Sequence, residues 1–296
     1  MTVPFRPNRP PGPATAEAWT DAVLRSIATM RERFGDDLPL QTLAQAARLS
    51  PFHFHRIFQR VTDATPARFL AAWRMAEAKR MLAYGSESVT DICMRIGYTS
   101  LGTFTSQFAR VVGVPPGRFR RVVGDCADVP LHEALEASPR PPEPVTPQVT
   151  VTVTGGPGRG ALVAVGLFPS GIPQGRPAAC AITDLPATVR LGDLPDGLFH
   201  PMAVCFDESV TLADAMMASD LDHGCYVAAA PAPVEIGGPA GDPPEVELRL
   251  RPRRATDPPV ILALPLLMDA ADCVRSHQQT AGSAGSPGSG VQSSHR

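Results

Sequence analysis

The 296-residue chain has one lysine, Lys79, against 26 arginines, and only 6% of its residues are aromatic. With abundant Ala, Gly and Pro, that bias reads as a GC-rich coding sequence and points to no function. Six cysteines (Cys93, Cys126, Cys180, Cys205, Cys225, Cys273) are scattered without a C-x-x-C pair. They read as small buried hydrophobes, and a redox sensor, the other reading, has no specific spacing behind it. No apolar run is long enough to span a bilayer, so no membrane partner is expected. The opening MTVPFRPNRPPGPAT lacks the apolar stretch of a signal peptide, and the expected location is the cytoplasm. There is no G-x-S-x-G elbow and no H-E-x-x-H. GGPGRG at 155–160 lacks the Walker lysine-serine pair and sits between two strand-like segments, which makes it a hairpin loop. Asp222, His223 and Cys225 cluster at a strand start, and an ordinary polar turn explains them better than a metal. The sequence therefore assigns no catalytic residue, no cofactor and no metal.

Residues 38–121 contain an internal repeat. Leu40, Leu43, Ala44, Ala47, Leu49 and Ser50 align with Val89, Ile92, Cys93, Ile96, Tyr98 and Ser100 at an offset near 49. After one extra residue, Thr99, Phe54, Phe58, Val61, Pro66, Arg68 and Phe69 align with Phe104, Phe108, Val111, Pro116, Arg118 and Phe119. A repeat of this length marks a repeated supersecondary unit. In each copy apolar residues fall at i, i+3, i+4 and i+7, a turn opens on serine, and a second amphipathic segment follows. Ser50 suits an N-cap with Pro51 at N1, Gly97 suits a helix C-terminus, and Ser100 suits the next cap. The pattern is helix-turn-helix, twice. Residues 66–84 predict one long helix between the copies, with Phe69, Leu70, Trp73, Ala76 and Leu82 inward. Residues 16–34 predict an N-terminal helix with Trp19, Val23, Ile27 and Met30 on one face.

Charge is divided unevenly. Residues 18–125 carry fifteen basic and nine acidic side chains, a balance of +6, whereas the part beyond 125 stands at −9. The whole-chain net of −2 conceals a basic half suited to a polyanion. Arg25, Arg31 and Arg33 read as a solvated face. His53 and His55 lie two apart on a helix and share no metal-binding face.

The stretches LAQAARLSPFHFHRIFQRVTDATPARFL, WRMAEAKRMLAYG and VTDICMRIGYTSLGTFTSQFARVVGVPPGRFRR resemble the DNA-binding domain of AraC/XylS-family transcriptional regulators. The resemblance covers roughly a third of the chain. It implies that one helix of each unit enters the major groove of double-stranded DNA, on one side of the duplex. It further implies RNA polymerase as a partner, and a small-molecule effector of unknown identity. Helix 51–62 is then the first reader, offering Phe52, His55, Arg56 and Gln59 to base edges, with Ser50 and Arg60 toward phosphates. A bidentate arginine on guanine contributes about 1–3 kcal/mol of discrimination, which singles out Arg56. Phe52 supplies an apolar contact for a thymine methyl. Helix 100–112 is the second reader, with Leu101, Gly102, Thr103, Ser106 and Gln107. That set has little reach, so weaker reading is expected, with Ser100, Arg110 and Arg118 on phosphates.

Past the repeat the character changes. Residues 126–147 are expected to be a Pro-rich linker ending in SPRPPEPVTPQ. Residues 1–15 and the Gly/Ser-rich 273–296 are expected to be disordered. Between them, QVTVTVT, GALVAVGLF, AACAI, ATVRL, HPMAVCF, CYVAAA, EVELRLR and VILALP predict an antiparallel all-β sandwich over 148–272. ATVRLGDLPDGLFHPMAV resembles the strand-turn-strand signature of prealbumin-like domains, including carboxypeptidase regulatory-like domains; an immunoglobulin-like topology competes. Arg251, Arg253 and Arg254 end the EVELRLR strand, as a solvated end or an added phosphate contact. The expected fold is an N-terminal all-α double helix-turn-helix bundle (16–125) and a separate C-terminal sandwich with a sensory or oligomerisation role. In the AraC family the sensing part commonly precedes the DNA-binding part, and here the order is reversed. The reading is a non-enzymatic, sequence-specific transcriptional regulator. An architectural DNA-binding protein and a DNA-repair enzyme with the same helices are the alternatives, the latter lacking a recognisable cysteine motif.

Overall fold

The computed structural model describes residues 12–136, 146–158, 160–207, 209–217, 225–237 and 242–261. Eight helices come first: α1 Pro13–Glu32, α2 Leu40–Ala46, α3 Pro51–Thr62, α4 Pro66–Tyr84, α5 Val89–Arg95, α6 Leu101–Val112, α7 Pro116–Asp125 and α8 Leu131–Glu136. The strands β1 Pro147–Gly155, β2 Leu162–Phe168, β3 Ala179–Asp184, β4 Ala187–Gly192 and β5 Gly197–Phe206 follow. A short helix α9 (Leu212–Met216) precedes β6 Tyr226–Ala229, β7 Val234–Ile236 and β8 Glu245–Pro252. Among the described residues no helix is long and apolar enough to cross a membrane.

The repeat folds as a repeat. In the first unit Phe54, Phe58 and Phe69 stack edge-to-face with centroids 5.4 Å apart at each step. In the second, Phe104, Phe108 and Phe119 do the same at 5.7 and 5.8 Å, with Tyr98 added at the outer end. The apolar spacing seen in sequence is thus two copies of one aromatic core. The backbone repeats as well. Left-handed residues sit at Arg48 and Gly97 (φ 59 and 83) and at Asp63 and Gly113 (φ 55 and 102). Each pair occupies matching places, before and after the second helix of its unit. The helix α4, capped by Thr65 Oγ1 accepting from the Arg68 N–H, joins the units. Leu40, expected to open the first apolar stripe, is 38% exposed, because α2 begins with it. The N-terminal helix starts at Pro13 rather than 16, since Pro at N1 donates nothing that a first turn needs.

The strands form one mixed sheet in the order β3-β2-β5-β6-β8-β1-β4, with β7 beside β5. It curls so that its two end strands, β3 and β4, approach each other. The strand-rich half expected from sequence is there, but as one nearly closed sheet and not as two packed antiparallel sheets, and β1 and β8 run parallel, Val151 beside Val246 and Val153 beside Leu248. Chain separation explains this, since about ninety residues intervene and no hairpin constrains the pair. Inside the curl lie Val149, Val151 and Val153, Val163, Val165 and Leu167, Val189 and Leu191, and Leu248 and Leu250. Val260 and Ile261 are buried outside any strand, and the remainder of VILALP lies outside the described residues.

The two halves share a core. Ala164 and Phe168 of β2 and Met202, Val204 and Phe206 of β5 face outward from the curl, into the same apolar cluster as the helix phenylalanines. These strands are therefore covered on both faces, which is why GALVAVGLF and MAVCF are unbroken apolar runs and do not alternate. The segment expected to be a linker from 126 is folded at its start. Cys126, Leu131 and Ala134 are buried. Leu131 N–H donates to Val210 O at 3.1 Å, and Leu212 N–H donates to Val129 O at 2.8 Å, so this stretch pairs with the sheet half. The proline-rich 137–145, together with residues 1–11 and 262–296, lies outside the described residues.

Candidate nucleic-acid interface

Helix α3 turns Phe54, Ile57, Phe58 and Thr62 into the core. That leaves Phe52, His55, Arg56, Gln59 and Arg60 exposed on the opposite side. Phe52 is 84% exposed, a phenylalanine that the protein's own core does not use. Arg56 has neither an ion pair nor a hydrogen bond among the described residues. Arg60 lies with its guanidinium carbon 5.4 Å from the centre of the Trp19 ring of α1, which steadies it at the helix end. Ser50 takes the N-cap backbone conformation, yet its hydroxyl makes no capping bond. The expectation that it caps is therefore not met by the side chain.

Helix α6 buries Phe104, Phe108, Val111 and Val112 and exposes Leu101, Gly102, Thr103, Ser106 and Arg110. Ser100 Oγ accepts from the Thr103 N–H at 3.4 Å, as a cap should. Superposing the repeat pairs Phe52 with Gly102, Arg56 with Ser106 and Arg60 with Arg110. Gln107 falls at the place of buried Ile57. It is half-buried, and its Oε1 accepts from Arg110 at 2.7 Å. Of the expected second readers, Gln107 is thus turned toward its own helix, while Thr103 and Ser106 face solvent. Arg118 is exposed at the start of α7.

The basic balance of this half is partly spent on its own architecture. Arg25, expected on a solvated face, donates to Ala47 O at 3.1 Å and finishes α2. Arg31 stacks 4.5 Å over Trp73, and burial draws its pKa below the ordinary arginine value while Glu77 opposes that shift. Arg33 pairs with Asp36. Arg74 donates to Phe34 O and Asp36 O, both at 2.7 Å, pinning the turn after α1. Arg120 donates to Leu82 O and Glu87 O, tying α7 to the α4–α5 connection. What remains outward includes Arg48, Arg56, Arg60, Arg68, Arg110 and Arg121. Counting residues could not separate these two classes, because the helix-end carbonyls that capture arginines come from distant sequence.

The sheet half reaches the ends of both helices. The loop after β2 brings Gly171 against Asp63, just beyond α3, where a Cβ on Gly171 would sit 3.3 Å from Asp63 O. Gly175 of the same loop donates its N–H to Val111 O in α6 at 2.7 Å. Sequence reasoning missed this bridge; the uninterrupted apolar strands were its only signal. Arg251 makes two bonds to Asp257, at 2.6 and 2.7 Å, which tells against the phosphate contact, the less favoured of its two readings. Asp222 and His223 lie outside the described residues. Among the described residues no group of His, Cys, Asp and Glu could hold a metal, His53 and His55 included.

Residues 43–122 match the family model described as "Helix-turn-helix domain". The chain is 31% identical over 102 residues to the HTH-type transcriptional activator RhaS of Enterobacter sp. (strain 638), covering 34% of this chain and 37% of that one. It is 28% identical over 104 residues to the bifunctional transcriptional activator/DNA repair enzyme AdaA of Bacillus subtilis, covering 35% of this chain and 48% of that one. The solved DNA-binding domain of AdpA in complex with a target DNA is 27% identical, with 34% of this chain and 90% of that chain covered and a TM-score of 0.32. The chain spans between about a quarter and a half of the length of the curated relatives it matches.

Proposed function

We propose that the chain is a sequence-specific DNA-binding transcriptional regulator of the AraC type, reading two adjacent major-groove segments with α3 and α6. The observation that carries this is the repeated helix pair. Each unit buries its phenylalanines and leaves the opposite face of its second helix to solvent, with Phe52, His55 and Arg56 on one and Thr103 and Ser106 on the other. A helix with that exposure fits the major groove, and the arginine offers the bidentate geometry that guanine accepts. The relatives named above as transcriptional activators support it. RNA polymerase is the proposed second partner and the cytoplasm the proposed location. For the curled sheet a regulatory role is proposed, and the prealbumin-like reading of the β4–β5 stretch remains the preferred one.

A repair activity like that in the AdaA name would need a reactive thiolate. Cys93, Cys126, Cys205 and Cys225 are buried, and burial pushes the thiols of Cys205 and Cys225 up to about 12 and about 11, away from thiolate chemistry; Cys180 is half-buried on β3, and Cys273 lies outside the described residues. A non-enzymatic role fits better. The test is selection of bound sequences by the full chain from a random duplex pool. A regulator enriches a motif with two clusters about one helical turn apart, one richer in information than the other. An architectural protein enriches none.

A further inference from the structure

Phe52 is the second residue of α3 and is 84% exposed, the most exposed of the large apolar side chains among the described residues. The core of its unit does not call on it, since Phe54, Ile57 and Phe58 fill that role from the opposite side of the helix. Nor does the local fold require a side chain there. The repeat places Gly102 at the matching position of α6, and that helix forms without one. A Cβ on Gly102 would meet nothing nearer than Ser100 Oγ at 3.9 Å, so packing does not impose the glycine either. A phenyl ring on α3 against open space on α6 is therefore a difference between the two outward faces, and not between the two cores.

The chemistry of the ring limits what it can read. A phenyl group neither donates nor accepts, so it is blind to the amino and carbonyl groups by which the major groove separates cytosine from thymine. What it senses is the apolar group on that edge, the C5 methyl of thymine. 5-Methylcytosine carries the same methyl on the same ring carbon, facing the same groove, whereas cytosine and uracil lack it. Phe52 therefore cannot separate thymine from 5-methylcytosine, but it separates both from their unmethylated counterparts. Burial of one methyl group corresponds to about fourfold in affinity.

Arg56 fixes where that methyl must lie. Phe52 and Arg56 stand four residues apart, one turn along one face of α3, and both are exposed. Four residues of helix rise about 6 Å, and successive base pairs about 3.4 Å. The methyl then falls within about two base pairs of the guanine held by Arg56. We propose that α3 reads the C5 methyl group itself through Phe52, so that 5-methylcytosine serves as well as thymine at one position beside the Arg56 guanine, and cytosine methylation there tightens binding. The proposal rests on the DNA-binding reading and adds to it a chemical group, and with that group a route by which methylation of the duplex sets its occupancy by this chain.

The experiment is anisotropy titration of the full chain with its selected duplex at fixed salt. Every pyrimidine of the duplex is presented in turn as thymine, uracil, cytosine and 5-methylcytosine, with the matching purine opposite. At one position thymine should bind about fourfold tighter than uracil, and 5-methylcytosine about fourfold tighter than cytosine. That position should lie within about two base pairs of the guanine whose preference Arg56→Ala relaxes. Phe52→Ala should make both members of each pair bind alike, with the thermal midpoint and the salt dependence unchanged. Thymine and uracil bound alike at every position, 5-methylcytosine bound no better than cytosine, or methyl effects undiminished in the Phe52 variant would overturn the proposal. A larger methyl effect under α6 than under α3 would overturn the assignment to Phe52. If no motif is enriched from the random pool, the DNA-binding reading fails and this proposal falls with it. A motif that is bound without any methyl effect strikes the methyl reading alone.

Discussion

The backbone N–H of Gly175 donates to the carbonyl of Val111 at 2.7 Å, joining a loop of the sheet half to the last turns of α6. Gly175 has φ +71, and a Cβ there would lie 3.1 Å from Arg110 O. Together with the apolar cluster that spans both halves, this bond makes the described chain one cooperative body. Thermal unfolding of the full chain should show one transition, with equal calorimetric and van't Hoff enthalpies. Gly175→Ala places an L side chain at a left-handed position and should cost about 1–2 kcal/mol. Two resolved transitions, with only one shifted by that substitution, would show independent halves.

Gly97 and Arg48 hold the same place in the two units and both are left-handed, but their surroundings differ. A Cβ on Gly97 would fall 2.6 Å from Gly35 O, a backbone atom that cannot swing aside, whereas Arg48 is exposed. Gly97→Ala should therefore cost about 2 kcal/mol or more, from strain and overlap together. Arg48→Gly should be neutral or stabilising by up to about 1 kcal/mol, since glycine relieves the strain at some cost in chain entropy. Denaturant midpoints with unchanged slopes measure both. Equal losses would contradict the packing assigned to Gly97.

The helices were legible because their signals are local. Pro51, Gly97 and Ser100 stand where helices begin or end, and the phenylalanine spacing repeats where the cores repeat. The bounds of α4 follow from Pro66 and from Gly85, which ends it. The parallel β1–β8 pair was not legible, because pairing across about ninety residues leaves no mark in either strand. The family resemblance names α3 as a reader, and helical phase picks out its outward residues. The half-buried state of Gln107 follows from the repeat, which sets Gln107 at the place of buried Ile57 once Thr99 is skipped, a consequence that outward helical phase alone does not give. The junction of the halves depended on noticing that β2 lacks alternation, a signal that a continuous apolar strand shares with many other buried segments.

Lys79, the single lysine, is fully buried, with its Nζ 5.6 Å from the Phe119 ring centre and no hydrogen-bond partner among the described residues. Burial, and secondarily the Arg253 charge, draws its pKa from 10.5 to about 7. In the unfolded chain the amine keeps its ordinary value. Between those two values the unfolded state holds the extra proton, so stability rises with pH across that window. Below about 7 both states are protonated and the cost of burying the charge is complete. Lys79→Met keeps the volume and removes the charge. It should stabilise by an amount on the order of a few kcal/mol at and below neutral pH, with the gain shrinking toward pH 10.5. Chemical denaturation across that range checks it, and a gain independent of pH would contradict the assignment.

Arg56 and Gln107 should behave differently on DNA. Arg56 is exposed on α3 and makes no bond within the described chain, while Gln107 is half-buried and bonded to Arg110. Arg56→Ala should cost about 1–3 kcal/mol on the selected duplex and relax the preference at one guanine. Gln107→Ala should cost less and leave the base preference unchanged. Anisotropy titrations with single-base variants of the duplex, at fixed salt, decide it. A Gln107 effect equal to or larger than that of Arg56 would overturn α3 as the main reader.

The most direct test of the central claim is the affinity of the full chain for its selected duplex and for a scrambled duplex, measured across a salt series. With about five or more phosphates neutralised by the outward arginines, log K should fall linearly against log salt at about −0.9 per contact for both duplexes. The selected duplex should stay tighter at every salt concentration, because base contacts survive screening. An affinity flat in salt would contradict DNA binding by this face. Equal affinity for the two duplexes would contradict sequence-specific reading by α3 and α6.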